Sequence, residues 1–162
     1  MKLTKFLNTR ILFNLLLFIS FSISVNTFVG LNYVNTIFYV FFHLVFIYFL
    51  FYYYHFTIYF IAFFYGILFD IFLLNQIGVH LLTFLLFISA FVLLKQYLKQ
   101  LSSYQIAIII FFSLFVLLIS ELIIAYFFNN YLFNFQFFIQ IFIISIIIFI
   151  PSILLFNKID NY

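Results

Sequence analysis

The chain of 162 residues is 70% hydrophobic and only 6% charged, whereas soluble domains carry charge on about a quarter of their residues. Folded in water it would lack the polar surface to cover a core, so its solvent is lipid and it reads as an integral membrane protein. With no cysteine it has no disulfide framework, thiolate metal site or cysteine nucleophile, and its net charge of +3 is scattered rather than clustered as nucleic-acid binding requires.

A helix needs roughly 20 apolar residues to cross the hydrocarbon. Six such pieces follow one another: 11–29, 33–51, 56–74, 79–94, 104–128 and 131–156. The breaks hold turn and interface residues: Gly30 with Asn32, then Tyr52 to His55, then Asn75–Gln76 before Gly78, then Lys95 to Ser103, then Asn129–Asn130. The second and third breaks are weak, so five spans remain open. A membrane barrel is disfavoured because the runs lack alternating polar residues. The first span follows basic residues, as a signal peptide does. It is too long for that, and Val25-Asn26-Thr27 is no small-x-small cleavage site, so it reads as a retained helix.

Lys2, Lys5 and Arg10 precede the first span, Lys95 and Lys99 separate the fourth from the fifth, and Lys158 follows the sixth. With six spans all these cations share one side, which the positive-inside rule makes cytoplasmic, with both termini there. Five spans would put some on the wrong side. Tyr takes the place of the missing Trp in the interfacial belts, with Tyr52, Tyr53, Tyr54, Tyr97 and Tyr104 inside and Tyr33, Tyr126 and Tyr131 outside. Phe (32) and Tyr (13) are residues of AT-rich codons, so the aromatic load reads as composition rather than as a binding site.

Ionisable residues inside a membrane cost several kcal/mol unless they face protein or water, which makes each a functional candidate. Ala62, Gly66 and Asp70 recur every four residues on one face of the third span. The two small residues allow close approach of another helix. Asp70 lies ~7 Å from the outer end of its span, at 1.5 Å per residue. Two readings stand for it: a packing seam whose carboxylate a neighbouring helix caps, or a carboxylate that handles protons, ions or substrate. Glu121 lies ~10 Å from the outer end of the fifth span, with Ser113, Leu117 and Ser120 on its face as a stripe expected to point into the bundle. His43 falls near the middle of the second span and His80 in the first turn of the fourth. An acid paired with a histidine, or a protonated acid bonded to an amide, would satisfy these groups without chemistry. His55 reads as a solvated turn residue, and Gln136 with Gln140 as interhelical hydrogen-bonding glue.

Two membrane acids at matched depth raise the question of an intramembrane aspartyl protease, in which two carboxylates share a proton. The asparagine- and glycine-rich motifs of lipoprotein signal peptidase are absent, one acid is Glu, and that family has four spans. The sequence also lacks a Walker loop, a metal-ligand cluster and a His-x-x-Glu spacing. It is read as a non-enzyme without cofactor or metal.

The stretch from Tyr65 to His80 reads Tyr-Gly-Ile-Leu-Phe-Asp-Ile-Phe-Leu-Leu-Asn-Gln-Ile-Gly-Val-His. It resembles the family of the rod shape-determining protein MreD, whose third span ends in Gly-x-x-x-Asp and is followed by a short polar turn, a Gly and often a His. Gly66, Asp70, Gly78 and His80 match that pattern, which covers about a tenth of the chain. The loop between the second and third spans departs from the family in lacking its Pro and Arg. The resemblance implies an all-α membrane fold of six helices, similar to the substrate-binding subunit of energy-coupling-factor vitamin transporters. It also implies a non-enzymatic inner-membrane component of the bacterial elongation machinery, which serves cell shape and peptidoglycan synthesis. The partners it implies are MreC and, through it, the actin-like MreB, RodA and the elongation-specific penicillin-binding protein. Two other classes stay open: a vitamin-capturing transporter subunit, which needs a polar pocket at the outer end, and a small membrane subunit of a respiratory complex.

Overall fold

The computed structural model describes residues 2–26, 32–74, 77–98, 100–129 and 135–160. Gly30, Asn75, Gln76, Lys99, Asn130 and Tyr131 lie outside the described residues, as do the side chains of Lys2, Lys5, Asn32, Asn129 and Gln136. The described residues form six α-helices and no strand: α1 (Lys2–Ser24), α2 (Asn32–Tyr53), α3 (Thr57–Phe69), α4 (Val79–Leu98), α5 (Ser103–Asn129) and α6 (Phe135–Asp160). A π-helical turn, Asp70–Leu74, continues α3.

Five of these segments are long and apolar enough to cross a membrane: Tyr33–Tyr53, Thr57–Leu74, Val79–Leu98, Ser103–Phe128 and Phe138–Lys158. The chain is therefore a multi-pass membrane protein. In α1 the apolar stretch Thr9–Ser24 is shorter than the others. The helix itself begins well before the expected start of the first span and ends at Ser24, short of the expected end at 29. Its serines cause no polar debt in lipid, because Ser22 and Ser24 donate to the carbonyls of Phe18 and Phe21, each at 2.8 Å. The α4 helix runs to Leu98, past the expected end at 94. The α6 helix runs to Asp160, carrying Pro151 within it. In both cases the helix continues after the apolar run has stopped, through sequence that includes Lys95, Gln96, Asn157 and Lys158.

The chain forms two compact units, one made of residues 1–53 with 135–162 and the other of residues 54–134. In the first, α2 packs against both α1 and α6. Arg10 near the start of α1 reaches the carbonyl of Tyr53 at the end of α2 (3.4 Å), and Asn35 near the start of α2 donates to the carbonyl of Asn26 after α1 (3.1 Å). The two helices are thus antiparallel. Gln140 donates to Thr36 (3.4 Å) while Phe156 lies against Tyr48 (ring centroids 4.5 Å) and Phe13 (5.7 Å), so α6 runs parallel to α2. The start of α1 and the end of α6 consequently share one end of this unit, the end that carries Arg10 and Lys158. Its core is aromatic: Phe13 stacks on Tyr48 and Phe49 at 5.5 and 5.8 Å, and every residue from Phe42 to Leu50 is buried.

In the second unit α3 and α4 form a helical hairpin and α5 packs on α4. Tyr54, just before α3, meets Phe91 late in α4 (ring centroids 5.7 Å), while Gly66 late in α3 meets Leu81 early in α4, so the hairpin is antiparallel. A methyl group at Gly66 would lie 2.6 Å from the Cα of Leu81, closer than any side chain permits. Glycine is what lets the two backbones touch. Ala62, one turn earlier on the same face, is fully buried. The α5 helix opens on a capping box, in which the Ser102 amide and hydroxyl both donate to Gln105 Oε1 at 2.9 and 3.0 Å.

Candidate functional site

The four residues that carry the family resemblance meet at the turn between α3 and α4. Gly78 has φ of +145°, a conformation that side-chain-bearing residues rarely adopt. Its carbonyl accepts the first bond of α4, from Leu82 N–H at 3.0 Å, which makes Gly78 the N-cap residue. An N-cap side chain ordinarily accepts from the second and third amides of the helix, here those of His80 and Leu81. Glycine has none to offer.

Asp70 supplies the cap from the preceding helix. Its Oδ1 accepts from the His80 amide at 2.8 Å and from His80 Nδ1 at 2.9 Å. Its Oδ2 accepts from the Gly78 amide at 2.7 Å and from the Leu81 amide at 3.2 Å. A carboxylate offers about four lone-pair positions, and all are filled. Three of the four partners are backbone amides that can only donate, and with the positive end of the α4 dipole they favour Asp70 as the anion, which leaves His80 Nδ1 the donor role. This separates the two possibilities for a membrane carboxyl, accepting as an ion or donating as an acid. Because unsatisfied amides in lipid cost several kcal/mol each, one side chain removes a large penalty from the end of α4.

The site is buried. Asp70 is fully buried and His80 is 4% exposed. The imidazole stacks on Phe69 (centroids 5.4 Å, 29° between planes) and meets the edge of Phe84 at 6.4 Å. Since Nδ1 faces a carboxylate, it carries the proton. The π-helical turn begins at Asp70 itself, and its next residues, Ile71, Phe72 and Leu73, are exposed apolar side chains.

The remaining candidates lie elsewhere. Glu121 is buried (4% exposed) on the stripe of α5 that also buries Ile110, Leu114, Leu117, Leu118 and Ala125. Ser113 and Ser120, expected to share an inward stripe with it, are only half-buried, and Ser120 spends its hydroxyl on the carbonyl of Leu117 at 2.7 Å. None of the bonds to Asp70 comes from Glu121, so the two acids do not share a proton as an aspartyl dyad does. His43 is fully buried in α2, its Nδ1 donating to the carbonyl of Tyr39 one turn back at 2.8 Å. Among the described residues no group of three or more His, Cys, Asp or Glu side chains could hold a metal ion.

Sequence reasoning placed Gly66, Asp70, Gly78 and His80 in one pattern but did not foresee Leu81, whose backbone both receives Gly66 and donates to Asp70. A backbone contact leaves no trace in the residue type that makes it. It also treated Arg10 only as a topology marker. The guanidinium sits at the C-terminus of α2, where the helix dipole is negative, the counterpart of Asp70 at the N-terminus of α4. In each case a charge from one helix caps the next, with the sign the dipole requires. Comparison with protein-family models, with curated proteins and with solved structures gives no match.

Proposed function

We propose that the protein is a non-enzymatic membrane scaffold of the bacterial cell-shape and lateral wall-elongation complex, working with an MreC-like single-span partner. The observation that carries this reading is the saturated Asp70 carboxylate. Asp70, Gly78 and His80 bond to one another at one turn, with no lone pair of the carboxylate left over for a substrate, an ion or a proton in transit. A motif spent on holding two helices together suits a protein whose output is a surface rather than a reaction. In this reading the chain spans the inner membrane six times in the arrangement of energy-coupling-factor substrate-binding subunits. By the positive-inside rule the cation-bearing segments and both termini are assigned to the cytoplasm. MreB, RodA and the elongation-specific penicillin-binding protein are reached through the partner. A vitamin-transporter subunit would need a polar pocket at the outer end, to which Asp70, His80 and Glu121 could contribute, whereas Asp70 and His80 are engaged with each other.

Depletion in a rod-shaped host tests the assignment. The expected outcome is rounded, lysis-prone cells, with respiration and vitamin uptake unchanged, and co-purification of the protein with a single-span coiled-coil partner. Normal shape with lost uptake of a vitamin would move the protein to the transporter class, and normal shape with lost respiration to the respiratory one.

A further inference from the structure

In the second unit the described charged side chains lie at different levels along α4 and α5. Asp70 is consumed at one end of α4, and Glu121 is buried within α5. Lys95 lies at the other end of α4, about 22 Å from His80 at 1.5 Å per residue. Its ammonium sits over the ring of Tyr54, 3.9 Å from the centroid, and Phe91 packs against the same tyrosine at 5.7 Å. Burial, and then the repulsion and hydrogen bond of Tyr59, push the Tyr54 hydroxyl above the ordinary tyrosine range. The ring therefore meets the lysine as a neutral π face and not as a counter-ion. Among the described residues Lys95 has no carboxylate beside it.

The position of this charge is specific. Lys95 is half-buried three residues before the end of α4, where the apolar span stops. Tyr97 and Tyr104, 70% and 77% exposed, flank it in sequence as interfacial tyrosines. A half-buried ammonium without a protein anion at the end of an apolar span is suited to snorkel towards the layer of lipid phosphates. We propose that the Lys95–Tyr54 pair forms a docking site for the headgroup of an anionic phospholipid. The phosphodiester completes the ammonium's hydrogen bonds, and Tyr54 fixes its position. The attraction rests on charge complementarity at the membrane surface, where each lysine contributes about a five-fold preference for anionic over zwitterionic lipid. The site depends on the membrane setting and not on which complex the protein serves.

The test uses the full chain in phosphatidylcholine vesicles containing spin-labelled phosphatidylglycerol or spin-labelled phosphatidylcholine, with the fraction of immobilised label as readout. Wild type should favour phosphatidylglycerol. Lys95→Ala and Lys95→Gln should each reduce that preference by up to about five-fold, while Lys95→Arg keeps it. The glutamine form retains a side chain over the Tyr54 ring, so a shared loss in both variants reports charge rather than misfolding. Inorganic phosphate should not displace the labelled lipid. Wild-type preference in both neutral variants, or displacement by inorganic phosphate or by a soluble acidic peptide, overturns the proposal.

Discussion

Replacing Asp70 by asparagine is nearly isosteric, yet the structure makes it a severe change. The carboxylate accepts bonds from three backbone amides and one imidazole, two on each oxygen. Asparagine keeps one acceptor oxygen and turns an NH2 group towards the two donors that faced the other. Two bonds are lost, two buried donors oppose two new ones, and the charge at the N-terminus of α4 disappears. Hydrogen bonds to charged groups contribute about 1.5–3 kcal/mol each, but measured side-chain bonds between membrane helices average only about 0.6 kcal/mol. Between these limits, Asp70→Asn should cost about 2–3 kcal/mol. Asp70→Leu orphans every donor and should cost about 3–5 kcal/mol, as breaking a buried pair from one side does. His80→Phe removes one bond, leaves the backbone cap intact and keeps the stack with Phe69, so about 1 kcal/mol is expected. The assay is loss of far-ultraviolet helical signal as mixed micelles are titrated with a denaturing detergent. The order Leu, Asn, Phe from most to least damaging is the signature of an ionic cap. If Asp70→Asn were as stable as wild type, the carboxyl would have to be a protonated donor, and the bonding derived from its geometry would be wrong.

The two glycines of the same turn should fail for different reasons. Gly66→Ala sets a methyl group against the α4 backbone and should cost about 1–3 kcal/mol by overpacking, detectable as weakened cross-linking between cysteines placed across α3 and α4. Gly78→Ala has room for its methyl, the nearest atoms being the Phe128 ring at 3.8 Å, and should cost about 1–3 kcal/mol through backbone strain alone, seen in the same detergent titration without loss of cross-linking. Reporter fusions should place the C-terminus after Tyr162 in the cytoplasm and the turn near Asn75 on the opposite face. A periplasmic C-terminus would overturn the six-span reading.

The resemblance motif shows how much a sequence can hold without its physical meaning. Gly66, Asp70, Gly78 and His80 were visible as a spaced pattern, and Asp70 was open to both a packing and a functional role. That Asp70 replaces the cap which Gly78 lacks follows only from the backbone, because the positive φ of Gly78 and its place at the head of α4 are three-dimensional facts. Arg10 is a similar case, legible as a cation near a membrane boundary but not as the cap of α2.

Composition by itself determined that the solvent is lipid, since so few charges cannot clothe a soluble core, and the apolar runs and their punctuation located α2 to α6 to within about four residues, while α1 begins and ends well before its expected bounds. Burial was beyond its reach. The two most apolar spans, in α5 and α6, are 28% and 17% buried, whereas the α2 span, among the least apolar, is 61% buried. Lipid tails are as apolar as leucine, so hydrophobicity inserts a helix but does not choose its neighbours. Close backbone approach, aromatic packing and capped helix ends make that choice, and only the tertiary structure brings Gly66 to Leu81, Phe13 to Tyr48 and Asp70 to the start of α4.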